Sequence, residues 1–260
     1  MNGACYLHHS TSVLPSQKMK SATPTKSSVL RDLRSLADPK VRAKMKYFGI
    51  SVNKAHGISV PDLRRLAKKI GKNHQLANEL WASAIHEAKN LAGMIGEPEK
   101  VTAAQMDRWA RDFDSWDVVD GTCCDLFVHA APAWKKAVDW SSRKEEFVKR
   151  AAFSLIAYLS YKDKSAPDKK FLRMLEIIRR ESSDDRNFVK KAVNWALRNI
   201  GKRNLALNRA AIRTAKQIRA LDSPTARWIA ADALRELTSP AVQRRLRKKH
   251  RERRSPDRRT

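Results

Sequence analysis

An internal repeat of about 40 residues is the feature of this 260-residue chain that most restricts its fold. The segment FVKRAAFSLIAYL begins at Phe147, and the similar segment FVKKAVNWALRNI begins at Phe188. A third related segment, ARWIAADALREL, begins at Ala226. Because a single unit of this kind cannot bury its apolar face alone, neighbouring units must stack against one another.

The repeat predicts an all-α protein. A period near 40 residues with two helices per unit is typical of HEAT-type repeats, which stack into a curved α-solenoid. We find no convincing alternating strand pattern, and we expect about twelve helices around a concave face wide enough for a nucleic-acid duplex. Helix-start and capping signals occur at Ser59-Val60-Pro61, Ser223-Pro224, Ser239-Pro240, Thr102 to Gln105 and Ser142 to Glu145.

Three segments are predicted along the chain. Residues 1–28 form a disordered basic extension, residues 29–240 form the repeat domain, and residues 241–260 form a basic tail that starts as a short helix. Three cysteines and no long apolar run favour a protein of a reducing compartment, expected in the cytoplasm. We expect no membrane contact, no metal and no cofactor, because no phosphate-binding glycine loop and no metal-ligand spacing is found.

The charge of the chain points to a polyanionic partner. The sequence has 54 Lys and Arg against 27 Asp and Glu, a net charge of +27. Residues 241–260 account for +8 of this charge, so the other 240 residues still carry +19. Nucleic acid is the favoured partner, an anionic membrane surface is second, and the remaining alternative is an ordinary domain with a basic tail.

Two side chains stand out in the segment FDSWDVVDGTCCDLF, residues 113–127. Trp116 and Asp120 lie four residues apart, so a helix places them on one face, one turn from each other. A carboxylate and an indole on one face suit a cationic ligand. The alternatives are core packing for Trp116 and a surface acid or buried salt bridge for Asp120.

The repeat itself supplies further candidates. The 41-residue offset makes Arg150 equivalent to Lys191 and Ser154 equivalent to Trp195. Arg150 is suited to bidentate binding of a phosphate. A salt bridge between repeats is the alternative for Arg150, and core packing is the alternative for Trp195.

Seven segments of the chain resemble the DNA alkylation repair glycosylases of AlkD type, which are built from HEAT-like repeats. The resemblance covers residues 42–238, and its segments are YFGI (47–50), GISVPDLRRLAK (57–68), ELWASAIHEAKNLA (79–92), DFDSWDVVD (112–120), EFVKRAAF (146–153), DDRNFVKKAVNWALRNIGKRN (184–204) and ARWIAADALREL (226–237). The segment GTCCDLF after Asp120 matches no pattern of that family.

The resemblance implies an active cleft formed by Trp116, Asp120, Trp195 and Arg150. Asp120, Trp116 and Trp195 would be catalytic. The cations expected to hold DNA phosphates are Arg150, Lys149, Lys190, Lys191, Arg198, Lys202, Arg203 and Arg227.

The implied activity is that of a monomeric DNA glycosylase that needs no cofactor. It would excise cationic N3- or N7-alkylated purines from duplex DNA, gripping the backbone on its basic concave face and leaving the base stacked. The alternative is a non-catalytic HEAT-like module that binds nucleic acid or a protein partner.

Overall fold

The computed structural model describes residues 23–254, and every regular element in that range is helical. The α-helices of this range are α1 Lys26–Ser35, α2 Pro39–Tyr47, α3 Val60–Ile70, α4 His74–Trp81, α5 His86–Ile95, α6 Ala103–Arg111, α7 Trp116–Asp125, α8 Ala133–Asp139, α9 Glu146–Lys162, α10 Asp168–Arg180, α11 Asn187–Gly201, α12 Leu205–Arg219, α13 Pro224–Leu237 and α14 Pro240–Arg254. Short 3-10 turns cover Pro98–Lys100, Phe127–His129 and Trp140–Ser142. The all-α prediction is confirmed, with fourteen helices in this range rather than about twelve.

The helices stack in two layers. Helices α5, α7, α9, α11 and α13 contact one another in that order and form the inner layer. Helices α4, α8, α10 and α12 pack behind them as the outer layer. The three sequence repeats coincide with inner helices α9, α11 and α13, and the rings of Phe147 and Phe188 lie 5.4 Å apart at equivalent positions. The HEAT-like solenoid predicted from the repeat is therefore confirmed.

Buried aromatic rings anchor the N-terminal half of the core. Trp81 stacks on Trp109 at a centroid distance of 4.0 Å. The indole nitrogen of Trp81 donates to Asp112 at 2.9 Å, and that of the buried Trp140 donates to Asp107 at 2.9 Å. These carboxylates accept hydrogen bonds from indole N–H groups that would otherwise be buried without partners. The tryptophans therefore fill the core without the penalty of an unsatisfied buried donor.

The side chains predicted to start helices do so at four positions, one of which is Ser239, whose Oγ accepts from Val242 N in the first turn of α14 at 3.4 Å. Ser59, Thr102 and Ser223 each accept a hydrogen bond from a backbone N–H in the first turn of α3, α6 and α13. Proline in the first turn of α3 and α13 loses no hydrogen bond, because that N–H has no partner inside the helix.

The capping box predicted at Ser142 is wrong. Ser142 ends a 3-10 turn, and α9 begins four residues later at Glu146 with no side-chain cap. Glu145 binds the guanidinium of Arg143 instead of reaching back to a backbone N–H. A local ion pair has thus replaced the expected cap.

The two ends of the repeat domain extend beyond the predicted boundaries. Helix α1 begins at Lys26 with Thr25 as its cap, so residues 26–28 form a helical turn instead of belonging to the extension. Helix α14 buries Val242 and Leu246, and it contacts α12 and α13. The rest of both predicted segments, residues 1–22 and 255–260, lies outside the described residues. No helix in residues 23–254 is long and apolar enough to cross a membrane.

Cations from other elements close the C-terminal ends of two inner helices. The ammonium of Lys72 donates to the carbonyls of Met94 and Gly96 at the end of α5, at 3.0 and 2.9 Å. Lys162 donates to Cys124 O at the end of α7, at 2.9 Å. Such contacts satisfy the last carbonyls of a helix and complement its dipole.

Candidate nucleic-acid interface

The first turn of α7 presents Trp116 and Asp120 on one side of the helix, as their spacing predicted. The indole Nε1 of Trp116 donates to the carbonyl of Phe48 at 3.1 Å. This bond joins α7 to the end of α2, across 68 positions of sequence.

Asp120 is held by two neighbours from α9. Arg150 donates from Nε to Asp120 Oδ1 at 3.1 Å and from Nη2 to Oδ2 at 2.6 Å. Ser154 Oγ donates to Oδ1 at 2.7 Å. A carboxylate has about four lone-pair positions, and three are occupied here, so Oδ2 retains one position for a further donor.

Arg150 does not have the free guanidinium that phosphate binding requires. Its side chain is 8% exposed, and its third nitrogen, Nη1, donates to Phe188 O at 2.8 Å. The same guanidinium lies 5.8 Å from the ring centre of Trp116. The inter-repeat salt bridge, which the sequence left open, is what the structure contains, and the role of Arg150 is to fix the carboxylate of Asp120.

Trp195 packs against a residue that the sequence analysis did not single out. Its indole packs edge-to-face on Tyr158, with the ring centres 4.9 Å apart. Tyr158 follows Ser154 by one turn of α9. Burial, reinforced by the negative charge of Asp120, raises the pKa of the Tyr158 phenol, so this hydroxyl stays protonated. Its four-residue spacing from Ser154 was the available sequence signal.

A cavity of about 490 Å³ opens beside Trp116, and we call it the aromatic cleft. Its walls are Tyr47, Phe48, Gly49, Trp116, Arg150, Asn187, Phe188 and Lys191. Tyr47 and Phe48 are 85% and 62% exposed, which is unusual for large aromatic side chains. Sequence reasoning missed the wall formed by residues 47–49, although the segment YFGI was among the resembling segments.

Two predicted DNA-binding cations have structural partners instead. Lys149 is 8% exposed, and its ammonium lies 2.6 Å from Glu181 and 2.9 Å from Asp184. Arg203 donates to four backbone carbonyls, those of Ser160, Asp163, Lys164 and Ala166. Lys149 lacks the exposure, and Arg203 lacks the free donors, that a phosphate requires, and neither is included in the proposed interface.

Arg198 and Lys202 are also committed within the protein. They share Glu236, with distances of 2.7 Å and 2.8 Å, and so connect α11 to α13. Both cations hold the pKa of the Glu236 carboxyl below its usual value, against the effect of burial. Arg198 also lies 3.6 Å from Asp232, so two carboxylates face these two cations, and neither cation is included in the proposed interface.

Three of the predicted cations remain available. Lys191 is exposed at the mouth of the aromatic cleft. Lys190 lies half-buried with its ammonium 5.9 Å from the ring centre of Trp228. Arg227 is exposed and only loosely paired with Asp222, at 3.4 Å. These side chains can reach a polyanion on the inner layer.

No group of three or more His, Cys, Asp or Glu side chains suitable for a metal ion occurs among residues 23–254. Burial raises the pKa of the Cys123 thiol well above its usual value, which leaves it a poor nucleophile.

Known proteins resemble this chain in sequence family and in fold. A solved structure described as a new family of proteins related to the HEAT-like repeat DNA glycosylases, with affinity for branched DNA structures, superimposes with a TM-score of 0.68. That alignment has 21% identity and covers 82% of this chain and 95% of the other. No curated protein matches the chain significantly. The sequence pattern of the DNA alkylation repair enzyme family matches residues 29–248, and this chain belongs to that family.

Proposed function

We propose that this protein is a DNA glycosylase that releases cationic N3- or N7-alkylated purines from duplex DNA. The observation that carries the proposal is the carboxylate of Asp120, held by Arg150 and Ser154 beside the indole of Trp116. A fixed carboxylate with one open acceptor position suits a reaction that develops positive charge.

The chemistry requires little from the protein. Alkylation already makes the purine cationic, so when the C1′–N9 bond breaks, its electron pair neutralises the leaving base. Positive charge then develops on the deoxyribose, where the carboxylate of Asp120 stabilises it electrostatically. The open position on Oδ2 can accept a hydrogen bond from the water whose oxygen adds to C1′ and whose proton passes to solvent.

The tryptophans have different parts in this proposal. Trp116 offers its ring to the cationic centre, and cation–π contact of this kind contributes about 0.5–2 kcal/mol. Trp195 supports Tyr158, whose protonated hydroxyl lies in the electrostatic neighbourhood of Asp120. In this proposal Trp116 is the aromatic that faces the reacting centre, and the catalytic role predicted for Trp195 stays a prediction.

Duplex DNA is the proposed partner, bound mainly through its backbone. The exposed cations Lys191 and Arg227 lie on adjacent inner helices, and the net charge of +27 favours a polyanion. The affinity for branched DNA described for the protein of similar fold supports DNA as the ligand of this surface.

Release of free base from a duplex that contains one N7-methylguanine tests the proposal. We expect Asp120→Asn to slow release by about 100-fold or more, because it removes the charge that stabilises the transition state. Asp125→Asn is the matched control, since Asp125 lies on the same helix but pairs with the exposed Arg64 at 3.3 Å. Release at the wild-type rate by a folded Asp120→Asn protein would refute the catalytic role.

The stability of the variant must be measured alongside. Asp120→Asn leaves the buried Arg150 with a neutral partner, and weakening such a charged hydrogen bond costs about 1–3 kcal/mol. Release is therefore compared well below the melting temperature of each protein.

A second candidate function is DNA binding without catalysis. The observation that favours it is the bidentate pairing of Asp120 with Arg150, which on its own is a normal inter-repeat contact. Tight, salt-sensitive DNA binding by the wild type with no release of base would favour this candidate over the glycosylase.

A further inference from the structure

We propose that the aromatic cleft binds an unstacked nucleotide, so that the protein prefers DNA with an unpaired base to uninterrupted duplex. This inference rests on the DNA binding proposed above, but not on catalysis. It concerns a base that is already unpaired, and it requires no extrusion of a paired base from the duplex.

The size and lining of the cleft suit a nucleotide. A volume of about 490 Å³ lies within the range of roughly 300–1,000 Å³ that small-molecule sites occupy. Four aromatic side chains line it: Tyr47, Phe48, Trp116 and Phe188. Every nucleobase has two π-faces, and stacking on aromatic side chains is the usual way in which proteins bind unpaired bases without regard to sequence.

The aromatic pair at the mouth is held rigidly, although it is exposed. Gly49, with φ +70°, and Ile50 donate backbone hydrogen bonds to Lys46 O and Met45 O, each at 3.0 Å. This is the Schellman arrangement, which closes α2 directly after Phe48. The bond from the Trp116 indole to Phe48 O fixes the same segment against α7. The two rings therefore project from a defined backbone rather than from a loose loop.

The charge around the cleft selects an anionic ligand. Lys46, which directly precedes the aromatic pair Tyr47 and Phe48, is an exposed cation. Lys191 contributes a further exposed ammonium on the opposite wall. A nucleotide combines a flat apolar base with a phosphate, and the cleft combines aromatic walls with a cationic rim. An apolar protein segment would satisfy the walls but not the rim.

Binding of DNA without an alkylated base to the full-length protein tests the inference. Two duplexes of equal length are compared by fluorescence anisotropy, one fully paired and one with a single unpaired 2-aminopurine in a bulge. We expect the wild type to bind the bulged duplex at least about tenfold more tightly, and stacking in the cleft to quench the 2-aminopurine fluorescence.

The variants identify the cleft as the site. Tyr47→Ala with Phe48→Ala should bring the ratio of bulge to duplex affinity close to one and restore the fluorescence. Leu172→Ala is the control, because Leu172 is a similarly exposed apolar side chain, 44% exposed, on the outer helix α10. It should leave the ratio and the quenching as in the wild type.

Several results would overturn the inference. Equal affinity of the wild type for both duplexes would do so, as would a preference for the bulge that survives in the Tyr47→Ala, Phe48→Ala protein. Because the DNA carries no alkylated base, these outcomes are independent of base release. A protein that releases N7-methylguanine but ignores the bulge keeps the proposed function and loses this inference, and the reverse result keeps only the inference.

Discussion

Two adjacent cations on α9 illustrate what makes a charged side chain available to a ligand. Lys149 and Arg150 follow one another in sequence, but they point about 100° apart around the helix. Lys149 faces Glu181 and Asp184, and Arg150 faces Asp120. Lys191, the repeat equivalent of Arg150, faces solvent at the cleft. Availability is decided by what the neighbouring helix presents, not by residue type.

This difference predicts opposite effects for two lysine substitutions. Lys191→Ala should leave the melting temperature unchanged and reduce the slope of log affinity for DNA against log salt by about 0.9, the effect of leaving one phosphate without its cation. Lys149→Met should lower the free energy of unfolding by about 1–3 kcal/mol, because Glu181 and Asp184 lose a buried donor but keep Arg180 and Arg186 as partners, and should leave the slope unchanged. A salt slope that stays constant in Lys191→Ala would exclude this lysine from the interface.

The pair formed by His86 and Asp117, 2.8 Å apart, predicts a pH dependence of stability. Burial alone would lower the pKa of His86, but the hydrogen bond and charge of Asp117 raise it above 6.5. Burial alone would raise the pKa of Asp117, but its bonds to His86 and Ser115 lower it below 3.8. The His86 contribution is complete below about pH 6.5 and is lost as pH rises through its raised pKa. The Asp117 contribution is present above about pH 3.8 and is lost as pH falls through its lowered pKa.

The measurement is the free energy of unfolding of the wild type minus that of His86→Gln, taken from about pH 5 to about pH 9. We expect this difference to be largest below about pH 6.5 and to shrink as the pH rises, because the folded state then loses the charge of His86. Titrating groups that do not interact with His86 cancel in the difference. A difference that is independent of pH would mean that His86 does not change its charge in this range.

At the scale of elements, periodicity predicted which helices exist, but not how they turn toward one another. The repeat located α9, α11 and α13, and the four-residue spacing of Trp116 and Asp120 placed both on one face of α7. The partner of Asp120 depends on the rotation of α7 against α9, which is set by packing between residues 30 positions apart. The wall of the cleft at Phe48 is 68 positions from Trp116, and no local pattern carries that information.

Gly49 belongs to the C-terminal cap of α2, and its effect on DNA binding can be separated from its effect on the stability of the protein. Gly49 has φ +70°, and a Cβ there would lie 3.6 Å from the Phe188 ring, an ordinary contact. Gly49→Ala should therefore cost only the backbone strain of a left-handed residue, about 1 kcal/mol. The same strain should shift Tyr47 and Phe48 and weaken binding of bulged DNA.

Gly71 at the end of α3 provides the matched control. It has φ +78°, and a Cβ there would meet no atom within 4 Å. Because Gly71 combines φ +78° with ψ −170°, a region essentially restricted to glycine, Gly71→Ala should lower the melting temperature at least as much as Gly49→Ala does, but it should not change DNA affinity. If both variants bind bulged DNA like the wild type, the geometry of the α2 cap is not important for the cleft.

At the scale of the whole molecule, helix α14 adds basic side chains next to the C-terminal ends of inner helices α9 and α11. Helix α14 contributes Arg245 and Lys249 to a cavity of about 310 Å³ against the C-terminal ends of α9 and α11. Lys249 also donates to Arg203 O at 3.1 Å, so part of this helix is structural. Simple deletion of residues 241–260 would remove the buried side chains of Val242 and Leu246 from the core. The charge of the helix must therefore be tested without removing it.

Four exposed cations of α14 can be replaced by glutamine: Arg244, Arg245, Arg247 and Lys248. This change lowers the net charge from +27 to +23 and keeps the apolar contacts of the helix. We expect the melting temperature to stay within a few degrees and the salt slope for DNA binding to fall by about 0.9 for each phosphate that the helix no longer neutralises. Base release at saturating protein should be unchanged, because none of these side chains lies at Asp120 or in the aromatic cleft. A large drop in base release would mean that α14 positions the DNA for the reaction.

The control replaces four exposed cations of outer helices α10 and α12 by glutamine: Lys169, Arg173, Arg179 and Lys216. The change in net charge is the same as in the α14 variant. If DNA were attracted by the total charge alone, both quadruple variants would weaken binding equally. If DNA lies along the inner layer and extends to α14, only the α14 variant should lose affinity and salt dependence, because screening limits charge effects to about 8–10 Å at physiological salt. Equal losses in the two variants would contradict a DNA path over α14.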